Sequence, residues 1–116
     1  MTMSLGEKQR LFTKLVADLI KYIYSEGYEA SFGEAYRTPE QAELNAKKGT
    51  GIRNSLHTKR LAIDLNLFFE DVYQPHSESY EFAGSFWEKL HPDCRWGGRF
   101  KKPDGNHFSL TFEGIS

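Results

Sequence analysis

The sequence holds a single cysteine, Cys94, so no internal disulfide is possible and the fold does not depend on an oxidising compartment. It also lacks any apolar run approaching the roughly 20 residues needed to span a bilayer. Stable membrane insertion is therefore not expected. Met1 to Arg10 is polar, without an apolar core of signal-peptide length, and synthesis in the cytoplasm is expected. No charge of one sign dominates: 15 Lys and Arg stand against 16 Asp and Glu, for a net charge of -1. Without a polybasic run there is little to neutralise phosphates, so nucleic acid is not an expected partner. Repeats, low-complexity tracts and long linkers are missing too, and 116 residues fit one domain with one core, expected as a monomer.

Large apolar side chains are well represented, with 9 Phe, 6 Tyr and 2 Trp. Leu11, Phe12, Leu15, Val16, Leu19, Ile20 and Ile23 recur at helical spacing and predict a helix over residues 6 to 26. Ser4 with Glu7 is a capping-box pair, and Gly27 is a C-terminal stop. Tyr28 to Ala35 reads as a strand. Thr38 caps a second helix that starts at Pro39 and runs to about Lys48. Residues 52 to 60 read as loop. From Leu61 to Phe68 the chain alternates: Leu61, Ile63, Leu65 and Leu67 point one way, while Ala62, Asp64 and Asn66 point the other. Glu78 to Leu90 predicts a third helix, Trp96-Gly97-Gly98 a turn followed by loop, and Asn106 to Phe112 a last strand. The order is α, β, α, β, α, β. It implies an α+β domain with helices packed on a small, mainly antiparallel sheet.

A carboxylate on the core-grade strand costs free energy unless it is paired or metal-bound, and Asp64 breaks the local rule where a site would sit. His57 lies seven positions earlier, and His107 starts the face of the last strand opposite Phe108 and Leu110. Two imidazoles and one carboxylate form a three-ligand zinc set that keeps a fourth position open. Asp104, three residues before His107, is the candidate base that moves a proton. Arg37 is the candidate anion partner, or else a plain loop charge. Ser55 and Gln41 are placed to hydrogen-bond substrate or to orient ligands. Trp96 is either an aromatic lid that meets substrate or part of a tight turn. His76 and His91 read as surface or satisfied core residues rather than ligands, and Cys94 as a small, unreactive side chain.

Together these motifs resemble the VanY-like zinc peptidases, which include D-alanyl-D-alanine carboxypeptidases and phage L-alanyl-D-glutamate endopeptidases. Ser55-Leu56-His57 followed by Asp64 is similar to the first family motif, and Asp104-x-x-His107-Phe108 to the second. Trp96-Gly97-Gly98 resembles the W-G-G segment. Tyr36-Arg37-Thr38 followed by Gln41 resembles an upstream stretch. The resemblance implies one zinc peptidase catalytic domain over residues 1–116, with Zn2+ held by His57, Asp64 and His107. It further implies Asp104 as general base, Arg37 on substrate or oxyanion, and a peptidoglycan stem peptide as substrate. The compact length resembles a phage-type endolysin, made in a host cytoplasm and acting on the wall after release. A D-alanyl-D-alanine carboxypeptidase and a non-catalytic wall-peptide binding module are the alternatives. The chain departs from many relatives at Arg60, where they carry Gly, and at Arg99, where they carry an acidic residue.

Overall fold

A computed structural model describes residues 3–49, 51 and 55–116. The first helix, α1, spans Leu5–Ser25 and begins with the expected reciprocal cap between Ser4 and Glu7. Its buried stripe is Phe12, Leu15, Val16, Leu19 and Ile23, with Lys8 at the near end. The chain leaves α1 through Gly27 at φ +86°, a left-handed conformation that glycine adopts without a Cβ penalty. Helix α2 covers Pro39–Lys47; Thr38 is its N-cap and its hydroxyl accepts from the Gln41 N–H. Helix α3 is Glu81–Leu90, preceded by a 3-10 turn over Ser77–Tyr80.

The described residues also form five strands: β1 (Glu29–Phe32), β2 (Ala62–Phe69), β3 (Val72–Tyr73), β4 (Cys94–Trp96) and β5 (His107–Leu110). They form one antiparallel sheet in the order β1-β2-β5-β4, with β3 also paired to β2. This is the α+β architecture read from the sequence.

Helices α1 and α3 cover the apolar face of the sheet. Leu61, Leu65, Leu67, Phe108 and Leu110 are fully buried there with Leu19, Ile23 and Trp87. Burying each such side chain contributes about 1.5–3 kcal/mol. The Trp87 ring meets Phe12 and Phe108 edge-on, at centroid distances of 5.7 and 6.1 Å. Its indole N–H is shared between the carbonyls of Arg95 and Ser109, which pins α3 to both β4 and β5.

Several elements differ from expectation. Part of the stretch read as loop is a 3-10 turn, Leu56–Lys59, capped by the Ser55 hydroxyl; residues 52–54 lie outside the described residues. Trp96 ends a strand, Cys94–Trp96, rather than opening a turn, because Trp96, Arg95 and Cys94 pair with Phe108, Ser109 and Leu110; the turn itself is Gly97–Arg99. The two-residue β3, folded back by Glu70 and Asp71 at φ +49° and +67°, was likewise absent from the sequence reading.

Candidate metal centre

The proposed ligands come together. Asp64 and His107 are direct partners across the β2–β5 pairing, so they share the face opposite the helices. His57 reaches them from the 3-10 turn, which the Ser55 hydroxyl fixes by accepting from the His57 N–H at 3.1 Å. His57 Nε2 lies 3.4 Å from Asp64 Oδ1, and His107 Nδ1 lies 3.6 Å from the same oxygen. Donors about 2.1 Å from a tetrahedral ion stand roughly 3.4 Å apart, and both distances match that edge.

The donor chemistry agrees with the geometry. Asp64 Oδ1, the oxygen that both imidazoles face, is buried and has no hydrogen-bond partner among the described residues. A buried lone pair left unpaired is costly unless something absent from the protein satisfies it. Burial works to raise the Asp64 pKa, but the two imidazoles of His107 and His57 beside the carboxylate outweigh it and hold the carboxyl down at about 2. At neutral pH the centre therefore offers a carboxylate, the form that binds a cation. The three residues fit a zinc ion.

Backbone hydrogen bonds brace this set from the segment that leads into Arg37. The Gly33 N–H donates to the Asp64 carbonyl, the Asp64 N–H to the Glu34 carbonyl, and the Arg37 N–H to the His57 carbonyl. A Cβ on Gly33 would sit 3.0 Å from the Asp64 Cβ, so glycine lets the two backbones close up. Residues 33–37 thus tie β2 to the turn that carries His57. The Glu34 side chain, missed from the sequence, pairs with Arg37 and stands 4.0 Å from His57 Nδ1. An acidic residue three positions before a singled-out arginine was the available signal.

Asp104, Arg37 and Ser55 line the same cleft as the three ligands, together with Phe100, Lys102 and Pro103. Its volume is about 620 Å³. Arg37 is not a free cation: its Nε donates to Glu34 Oε1 at 3.0 Å and its Nη2 also bonds that oxygen. Gln41 lies on exposed α2, donates to Asn45 Oδ1 at 2.7 Å and is not among the cleft-lining residues. Trp96 is 3% exposed and lies behind the cleft rather than in it.

The position of Trp96 explains the W-G-G segment. Its indole N–H donates to the Gly105 carbonyl at 2.7 Å, and its ring packs where any Cβ on Gly84 or Gly98 would collide with it. Gly97 accepts from the Asp104 N–H at 2.9 Å, and a Cβ there would fall 2.2 Å from the Asp104 carbonyl oxygen. The Ser77 hydroxyl accepts from the Gly105 N–H, and the His107 N–H donates to the Asp104 carbonyl. Trp96, Gly97 and Ser77 therefore hold the loop that carries Asp104.

Among solved structures the fold resembles the L-Ala D-Glu endopeptidase ChiX of Serratia marcescens, with a TM-score of 0.73 at 20% identity over 97% of this chain and 90% of that one. It also resembles a variant of the vancomycin-resistance D,D-pentapeptidase VanY from a VanB-type cassette, in complex with Zn(II). There the TM-score is 0.57 at 14% identity, over 85% of this chain and 70% of that one. No curated protein matches by sequence. A family model described as D-alanyl-D-alanine carboxypeptidase matches residues 48–110, the span from the end of α2 through β5 that contains all three ligands and Asp104. The chain belongs to this family of zinc-dependent, peptidoglycan-acting peptidases.

Proposed function

We propose that the chain hydrolyses peptidoglycan stem peptides at the L-alanyl-D-glutamate bond, as an endolysin of phage type. The observation that carries the hydrolytic reading is the convergence of His57, Asp64 and His107 within one cleft that also contains Asp104. The likeness to an L-Ala D-Glu endopeptidase over nearly the whole of both chains supports that choice of bond.

In this reading His57, Asp64 and His107 hold zinc, which when bound supplies a Lewis acid that lowers the pKa of water toward ~7. Asp104 takes the proton of the attacking water and delivers it to the leaving amine. Arg37 spends two of its five N–H donors on Glu34 and retains three for a substrate carboxylate or the developing oxyanion. Ser55 keeps His57 in place through the cap, and Trp96 keeps the Asp104 loop in place.

Digestion of purified muropeptides followed by mass spectrometry tests the bond. The endopeptidase leaves L-Ala on the glycan and releases peptides that begin with D-Glu. Release of free D-Ala instead would overturn that choice in favour of the carboxypeptidase, the reading favoured by the family description. A zinc-loaded protein that binds wall peptide and cleaves none would establish the non-catalytic module.

A further inference from the structure

We infer that Glu34 is a positioning residue of the metal centre. Its carboxylate fixes the ring of His57 through Nδ1 and is itself oriented by Arg37. The inference rests on the assignment of His57 as a zinc ligand.

The two ring nitrogens of His57 face different partners. Nε2 looks toward Asp64 Oδ1 at 3.4 Å, the ligand side. Nδ1 looks toward Glu34 Oε1 at 4.0 Å, on the opposite side. That distance exceeds a hydrogen bond, yet Nδ1 is buried and has no other partner among the described residues. An imidazole that binds a cation through one nitrogen carries its proton on the other. A carboxylate at that N–H sets the tautomer, stops ring rotation and raises the basicity of the ligating nitrogen. Moving the Glu34 carboxylate by about an ångström closes the gap to the ~2.9 Å of a normal hydrogen bond.

Arg37 explains why the carboxylate stands there. Its Nε and Nη2 both donate to Glu34 Oε1, the same oxygen that faces His57. The Arg37 side chain is 16% exposed and that of Glu34 35%, so solvent reaches the pair mainly from the Glu34 side. The backbone adds register: the Glu34 carbonyl accepts from the Asp64 N–H, and the Arg37 N–H donates to the His57 carbonyl. A substrate group drawn to Arg37 would thus be linked, through one carboxylate, to a metal ligand.

The test measures the zinc dissociation constant by chelator competition for the wild-type chain, Glu34→Gln, Glu34→Ala and His57→Ala. Long-range nitrogen–proton NMR of the zinc-loaded His57 ring accompanies it. The expected order is a roughly 10-fold loss for Glu34→Gln, which keeps a neutral acceptor, and up to about 100-fold for Glu34→Ala. The wild-type ring should show a hydrogen-bonded proton on Nδ1 that moves upfield in Glu34→Gln. Should Glu34→Ala fail to fold, the isosteric Glu34→Gln and the ring proton still decide. Zinc bound as tightly by Glu34→Gln and Glu34→Ala as by wild type, with an unchanged ring proton, would overturn this inference alone. A wild-type chain that holds zinc no better than His57→Ala would overturn the metal centre and this inference with it.

Discussion

Asp104 stands three residues before His107, the first residue of β5, yet the two have separable work. Asp104→Ala should bind zinc within about threefold of wild type while kcat falls 10²- to 10⁴-fold, the usual worth of a general base. His107→Ala should lose both zinc and activity. Muropeptide turnover measured beside zinc binding checks the pair, and full activity in Asp104→Ala would remove that residue from the chemistry. These positions were readable because short motifs carry them. Arg60 was readable only as a departure from relatives that carry Gly. Residue 60 has φ +58°, a left-handed conformation that glycine adopts without strain. Here the guanidinium lies 3.9 Å from the centroid of the Tyr36 ring. Removing αL strain of about 1–2 kcal/mol and losing a cation–π contact of about 0.5–1 kcal/mol nearly offset each other. Arg60→Gly should therefore change stability by less than about 1.5 kcal/mol, as read by urea denaturation. The spacing of Glu34 to Arg37 was visible in the sequence, but its place beside His57 was not, because the two are near only after β1 and the 3-10 turn are brought onto β2.

At the scale of elements, helices and the central strand were written in local pattern. Helix α1 carries its own cap and stripe, α2 its Thr38 and Pro39, and β2 its alternation. Strand β4 has no such signature, since three residues before two glycines become a strand only by pairing with β5. The same long-range pairing turned Trp96 from a candidate substrate contact into the post behind the Asp104 loop. Trp96→Phe removes the donor to the Gly105 carbonyl and should cost about 1–3 kcal/mol. Activity should fall more than zinc affinity, because the loop it steadies carries the base; equal losses would contradict that role. At the other end of the domain, the buried Lys8 ammonium bonds Asp93, tying α1 to the approach of β4. That bond is the main reason the Asp93 carboxyl lies below its ordinary value of 3.8. A lowered carboxylate pKa stabilises the fold above the ordinary value and loses that contribution as pH falls through the folded one. Lys8→Met should thus lower stability at neutral pH and flatten the acid limb below pH 3.8, where the wild-type chain loses this contribution. Parallel acid limbs in the two chains would contradict the assignment.

As a whole the molecule is a small sheet with its two long helices on one face and its polar cleft on the other, so the core and the site are separate faces of β2 and β5. Alternation along those two strands is what made both legible at once. A chain of 116 residues has modest reserve, and a ligand that binds only the folded state adds to it. Zinc at a hundred times its dissociation constant should contribute about 2.7 kcal/mol, raising Tm by roughly 10 °C, and chelation should reverse the shift. Among the described residues no helix is long and apolar enough to cross a membrane. The most direct test of the central claim is anomalous diffraction at the zinc edge from crystals of the loaded protein. The account predicts one zinc held by the imidazoles of His57 and His107 and the carboxylate of Asp64, each at about 2.0–2.2 Å. A zinc peak elsewhere, with those three side chains turned away from a common point, would contradict it.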